Sequence, residues 1–388
     1  MTRIPPKSNK NDANPDTPDR VIARDASPLR ERLAAMIAAN GPISISDYME
    51  DALFHPQFGY YTTGQPIGAA GDFITAPEIS QVFGELIGLW LVQSWIDIGE
   101  PSMFNLIELG PGRGVLMADV LRVARLRPKF LDAARLWLVE TSGRLRLEQQ
   151  KRIKPTGAAT QWADSLDDVP DGPFLLIANE FFDCLPIRQF VRTKTSWRER
   201  MVDVDPNDTA QLAFVLHDVP PEPEVNLPSR ETTQEGEIYE VCQPSEAIAR
   251  DLSDRLAHHK GRALIIDYGY DRDQTGETLQ AIQGHAYCSP LEAPGVSDLT
   301  AHVNFASLIR EGFSNGAVTA GPVPQGTFLD RLGLAARVQT LTQDKPPDVI
   351  NDIEQGVARL VGSHQMGTLF KVLCLYSPGL SVPAGFVV

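Results

Sequence analysis

An apolar run at 104–109 passes directly into Gly110-Pro111-Gly112-Arg113-Gly114, and behind it Leu116, Val120 and Val123 recur at helical spacing. A strand, a glycine-rich turn and an amphipathic helix in immediate succession form the opening unit of an open α/β sheet. The rhythm then repeats. Strands are expected at 136–139, 158–162, 174–178 and 263–266, with helices at 145–151 and 244–258, and two last strands at 317–319 and 370–376. Helices at 303–311, 326–332 and 348–360 fill the C-terminal part. Alternation of this kind implies a parallel, doubly wound sheet.

Ahead of the sheet, helices are expected at 29–40, at 44–53 with Ser46 as its cap, and at 78–98. Residues 1–27 read as a disordered tail, 28–100 as a helical N-terminal region and 101–388 as the main domain. A β-rich insertion at about 191–241 interrupts that domain, and Ser245 is the cap signal for the helix after it. The loop at 54–77 is rich in Gly, Pro and aromatic residues, a composition that suits a functional segment.

Glycines let the backbone approach a ligand, and open sheets bind ligands at the carboxyl ends of their strands. A dinucleotide site wants GxGxxG, but here the third glycine comes one residue early, at Gly114, and Val115 stands in its place. NAD is therefore a poor fit. S-adenosylmethionine carries no pyrophosphate. It needs an acceptor for its ammonium and backbone N–H groups for its carboxylate, which Glu108 and the loop with Gly110, Pro111, Gly112 and Gly114 can supply. Glu140, at the end of the second strand, suits two ribose hydroxyls. A surface glutamate at a strand end would look the same in isolation.

The fourth strand runs into Asn179-Glu180-Phe181-Phe182-Asp183-Cys184-Leu185-Pro186. Asn179 offers an amide to the cofactor or the acceptor, and Glu180 with Asp183 can hold a guanidinium and take its proton. Asp72, in Gly71-Asp72-Phe73-Ile74-Thr75, and His302 are further catalytic candidates. Thr75 and Pro77 are explained equally well as a helix start.

A net charge of -15 disfavours a phosphate backbone as partner and suits a cationic protein segment. Cys184, Cys242, Cys288 and Cys374 form no CxxC pair, which argues against a zinc or dithiol site and fits a reducing compartment. No apolar run approaches the roughly 20 residues needed to span a bilayer. The acid-bearing N-terminus reads neither as a secretory signal nor as a matrix-targeting peptide, so a cytoplasmic location is expected.

Together the motifs resemble the MidA-type methyltransferases, whose mitochondrial members are complex I assembly factors that methylate an arginine. The resemblance is carried by Ile45-Ser46-Asp47-Tyr48-Met49, Phe58-Gly59-Tyr60-Tyr61, 71–81, 108–114, 179–186, Ile266-Asp267-Tyr268-Gly269 and 298–305. It continues through Gln325-Gly326-Thr327-Phe328-Leu329 and Met366-Gly367-Thr368-Leu369-Phe370-Lys371. It implies a seven-stranded class I methyltransferase fold with extra N-terminal helices, and symmetric dimethylation of an arginine on a complex I subunit. Val115 stands where relatives often carry Thr, and Asn304 where they often carry Asp. The competing reading is a non-catalytic assembly chaperone that keeps a cofactor-shaped pocket.

Overall fold

The computed structural model describes residues 27–63, 75–223 and 225–387. The central sheet draws on Phe104–Leu109 (β1), Ala134–Val139 (β2), Thr160–Ala163 (β3), Phe174–Asn179 (β4), Gly261–Tyr270 (β5), Val318–Pro324 (β6) and Phe370–Tyr376 (β7). Their order across the sheet is β3-β2-β1-β4-β5-β7-β6. The run from β3 to β5 is parallel, and β7 lies antiparallel to both of its neighbours.

The sheet has eight strands rather than the expected seven, because Val303–Asn304 pairs in parallel with the far end of β5. Val303 had the periodicity of a helix start. Instead Asn304 is the cap, its Oδ1 accepting from Ser307 N at 3.1 Å, so the helix begins at Phe305.

Every residue of β1 and β4 is buried, as expected for parallel strands covered on both sides. Leu175 and Ile177 pack with helices Gln81–Asp97 and Val115–Ala124, while Leu176 and Ala178 pack with Gln243–His258 and Phe305–Ser314. Burying a side chain of this size contributes roughly 1.5–3 kcal/mol. The helix that follows the glycine turn is held close to its neighbour by small residues. A Cβ on Gly84 would lie 2.6 Å from Asp119 Cβ, and one on Gly88 would lie 3.1 Å from Val120 Cα. That contact fixes where the glycine turn sits.

The insertion forms an antiparallel sheet from Arg188–Arg192, Trp197–Asp205, Asp208–Leu216 and Ile238–Val241, and it takes in Ile43–Ser44 from the N-terminal region. Val202 and Leu212 of the insertion share a core with Leu33, Tyr48 and Met49 of the N-terminal helices Ser27–Asn40 and Ile45–Phe54.

Several caps differ from expectation. Ser44, not Ser46, caps Ile45–Phe54, because Ser44 Oγ accepts from Asp47 N at 2.9 Å. The helix expected over 78–98 breaks at Ser80, which caps Gln81–Asp97 after a separate turn, Ala76–Ile79. Thr75 and Ser245 make no cap bond: Thr75 stands at its helix start without one, and Cys242 occupies the cap of Gln243–His258. Helix Leu334–Thr342 and the small sheet Gln280–Gln283, Ala286–Cys288 and Asp298–Thr300 were not expected. Asp72, Phe73 and nearly all of the expected tail lie outside the described residues.

Candidate active site

At the carboxyl end of β1 the chain turns through Gly110, Gly112 and Gly114 at φ 59°, 52° and 75°. Only glycine adopts this region freely. Gly110 is also sterically required, since a Cβ there would meet the Phe181 ring at 2.7 Å. Gly114 caps helix Val115–Ala124 without a side chain, so the first-turn N–H groups have no capping side chain and remain suited to an anionic group.

Glu108 is 3% exposed, and its Oε2 has no hydrogen-bond partner. Burial pushes its carboxyl up to about 8. Asn179 Oδ1 and Glu78 Oε2 are likewise buried without a partner, and all three residues line one small pocket with Gly110, Gly112 and Glu180. Three orphaned acceptors around one space call for a donor that can satisfy several at once. A primary ammonium has three N–H bonds and the positive charge that would return Glu108 to its ionised form. The amino-acid end of S-adenosylmethionine fits this pocket.

A larger cleft of about 670 Å³ adjoins it, with Gly110, Gly112 and Glu180 lining both. Glu140 stands in its wall just past β2. Its Oε1 accepts from Ser142 N at 2.8 Å and its Oε2 from Gln149 Nε2 at 3.1 Å. Burial raises its pKa, and these bonds oppose the rise. The Thr141 N–H donates to it as well, and the carboxylate lines the cleft as an acceptor for ligand hydroxyls.

Glu180, Phe181 and Asp183 form the opposite wall. Glu180 has φ 50°, unusual for a residue with a side chain. It is held there by its N–H bond to Ile266 O (2.9 Å) and by Oε1, which accepts from Ala76 N (2.9 Å) and Asn179 Nδ2 (3.1 Å). Burial raises Glu180 to about 7 and Asp183 to about 6. Beneath them Asp267, fully buried in β5, accepts from Phe182 N (3.0 Å), Asp183 N (3.2 Å) and Tyr268 N (2.9 Å). Burial, followed by the charges of Asp183 and Glu180, holds the Asp267 carboxyl well above its usual range.

The outer part of the cleft is built by the N-terminal helices and the small sheet. Tyr61 stacks on Phe54 with ring centroids 5.7 Å apart and donates to Asp298 Oδ1 at 3.0 Å. Around the whole cleft, Glu50, Glu140, Asp164, Asp167, Glu180, Asp183, Asp251 and Asp298 present carboxylates, and no Lys, Arg or His lines it among the described residues.

The structure thus brings together Glu108, Gly110, Gly112, Glu140, Asn179, Glu180 and Asp183, with Pro111 beside the small pocket and Gly114 at the helix start. His302 is not among the cleft residues. Its ring lies edge-on to Tyr268 (5.4 Å) in a separate small pocket with Tyr239 and Glu240, and burial lowers its pKa. Asn304 caps a helix and donates to Asp273 Oδ1 at 3.0 Å. Sequence reasoning missed Gln149 and Asp267. Gln149 did carry a signal, since it falls between Leu145 and Ile153 on the buried stripe of helix Gly143–Ile153. Asp267 stood in the motif Ile266-Asp267-Tyr268-Gly269, but nothing in the sequence attached a role to it.

A pocket of unpartnered acceptors, a buried carboxylate just past β2 and a glycine turn at the carboxyl ends of β1 and β2 suit the chemistry of S-adenosylmethionine. Comparison with known proteins agrees. Residues 86–323 match the family described as "putative S-adenosyl-L-methionine-dependent methyltransferase", and the chain belongs to that family. It is 37% identical to the mitochondrial protein arginine methyltransferase NDUFAF7 of Danio rerio, over 88% of this chain and 85% of that one. The Mus musculus protein of the same name is 38% identical, over 91% of this chain and 85% of that one. A solved structure of a superfamily member from Burkholderia thailandensis, bound to S-adenosyl-homocysteine, superposes with a TM-score of 0.78 at 27% identity. That match covers 93% of this chain and 94% of the other. The chain is an S-adenosylmethionine-dependent methyltransferase.

Among the described residues no helix is long and apolar enough to cross a membrane, and no group of three or more His, Cys, Asp or Glu could hold a metal ion.

Proposed function

We propose that this enzyme methylates a guanidinium nitrogen of a protein arginine, on a subunit of complex I during its assembly, and that it carries the arginine to the symmetric dimethyl form. The observation that carries the reading is the cleft's lining, eight carboxylates with no basic side chain among the described residues, of which Asp164 and Asp251 are already paired with Arg146 and Arg255. Such a wall selects a cation. The names of the relatives from Danio rerio and Mus musculus point to arginine as that cation.

Glu108, Asn179 and the glycine turn hold the amino-acid end of the cofactor, and Glu140 holds its ribose. The bound cofactor supplies a methyl group activated on a sulfonium. Glu180 and Asp183 grip the planar guanidinium through paired, charge-assisted hydrogen bonds and align one nitrogen with the methyl. As the new N–C bond forms and the S–C bond breaks, the guanidinium loses a proton. Glu180, raised to about 7, is matched to take it near neutral pH. Asp267 keeps both carboxylates on the cleft side by holding the loop's N–H groups.

The test follows a labelled methyl group into purified complex I subunits, each beside a version with its arginines replaced by lysine. Label confined to the arginine form supports the reading. Label on lysine, or cofactor binding with no transfer to any subunit, refutes it, and the second result would favour the chaperone.

A further inference from the structure

We propose that Gln149 is a positioning residue that locks the ribose carboxylate Glu140 and the glycine turn into one geometry, and through them sets recognition of the cofactor's vicinal diol. The proposal rests on the cofactor assignment above.

Gln149 is fully buried in a helix whose other polar residues mostly face solvent. Its Nε2 donates to Gly112 O at 2.8 Å and to Glu140 Oε2 at 3.1 Å, and its Oε1 accepts from Trp162 Nε1 at 2.8 Å. Three separate segments therefore meet on one amide: the turn after β1, the residue after β2 and strand β3. The orientation of the amide is determined. Rotated by half a turn, Oε1 would face two acceptors, Gly112 O and Glu140 Oε2, and the NH₂ would face the Trp162 N–H. The backbone leaves no slack, because a Cβ on Gly114 would come within 3.3 Å of Gln149 Cα.

The consequence falls on Glu140. Its carboxylate is held at one oxygen by Ser142 N and at the other by Gln149, so it cannot rotate about its terminal bond without losing both. Held at both oxygens, the carboxylate presents two acceptors at fixed separation, which match two adjacent hydroxyls. Gln149 touches no ligand. It acts by fixing the group that does, and by joining that group to Gly112, which lies beside the ammonium pocket. A ligand with a single hydroxyl gains nothing from such fixing, so the effect should appear as discrimination between a diol and its deoxy forms.

The experiment is calorimetric titration of the full chain with S-adenosyl-homocysteine and with its 2′-deoxy and 3′-deoxy analogues. Gln149→Met keeps the length and removes the donors. We expect about tenfold or greater loss of affinity for S-adenosyl-homocysteine, and preference over both deoxy analogues reduced at least about threefold, with Lys151→Met, at an exposed position of the same helix, keeping the wild-type preference. Weaker binding with unchanged preference would show a merely structural role and overturn the proposal, as would wild-type binding. Should Gln149→Met fail to fold, Trp162→Phe frees only Oε1 and should shift the preference in the same direction by less. An unchanged preference in that variant overturns the proposal equally. Wild-type protein that ignores S-adenosyl-homocysteine would instead overturn the cofactor assignment, and the proposal with it.

Discussion

The two halves of the cleft are made in different ways. The half proposed to hold the cofactor comes mostly from consecutive strand–turn–helix units: Glu108 to Gly114, then Glu140, then Gln149, within 42 residues of chain, with Glu78 and Asn179 closing its small pocket. Its geometry follows from the register of parallel strands. The acceptor half is assembled from distant segments. Ala76 holds Glu180 across 104 positions, Asp267 holds Asp183 across 84, and Tyr61 reaches Asp298 across 237. A site encoded locally can be read from a motif and is robust to changes elsewhere. A site encoded at long range depends on the packing of the whole molecule. Although Glu180 lines both pockets and bonds to Asn179, damage to each half should have its own signature.

The largest effect is expected at the glycine turn. Gly112→Val places a β-branched residue at φ 52° beside the ammonium pocket, and binding of S-adenosyl-homocysteine should be lost to calorimetry in a protein that still folds. Unchanged affinity would remove the basis for assigning this half to the cofactor.

Next in size is the acceptor pair. Glu180→Gln with Asp183→Asn deletes both charges and keeps their shapes. Methyl transfer should fall roughly 10²–10⁴-fold, the usual range for a positioned acid–base group, while cofactor affinity stays within about twofold. In the wild type, transfer should rise as pH climbs through about 6 and about 7, where Asp183 and Glu180 ionise. A flat profile across that window would separate both groups from the chemistry.

Glu108→Gln probes the two halves from another side. The folded carboxyl sits at about 8, above the ordinary glutamate value of 4.5, so the cofactor-free fold binds a proton that the unfolded chain releases. The stability contributed by that proton is present below about 4.5 and is lost as pH rises through about 8. Glutamine removes this dependence. Without cofactor, the variant should melt higher than wild type above pH 8. With saturating cofactor the order should reverse, because the ammonium then compensates the charge. A variant melting below wild type in both conditions contradicts the orphaned-carboxyl picture.

The smallest effect belongs to Glu140→Ala. Losing a hydrogen bond to a charged group costs roughly 1.5–3 kcal/mol, about tenfold or more in affinity by titration. The loss should shrink with 2′-deoxy and 3′-deoxy analogues. An equal loss with all three ligands would take the ribose away from Glu140.

What could be read from the sequence follows the same division. The glycine turn, Glu140 and the strands of the parallel run were legible because each depends on neighbours in the chain. Strand limits shifted by a few residues, as at β5, where Gly261–Tyr270 extends the apolar core 263–266 at both ends through pairing with β4 and β7. Asn179, Glu180 and Asp183 were placed by their position after a strand, but the reason Glu180 can hold a positive φ was not visible, since it lies in Ala76 and Ile266. His302 stood near the motifs in sequence, yet the turn of the chain after β5 carries it into a different pocket. Asp267 sat in the motif Ile266-Asp267-Tyr268-Gly269 and Gln149 on a helix's apolar stripe, yet neither position showed what it would bond. Their importance comes from burial, which a single sequence does not display.

The claim that two independently built halves meet in one cleft is tested most directly by a crossed experiment. Gly112→Val and the Glu180→Gln, Asp183→Asn double variant are each measured for S-adenosyl-homocysteine affinity and, separately, for binding of an arginine-bearing subunit peptide. The account predicts that the first variant loses the cofactor and keeps the peptide, and that the second keeps the cofactor and loses the peptide. Loss of both ligands in either folded variant would contradict it.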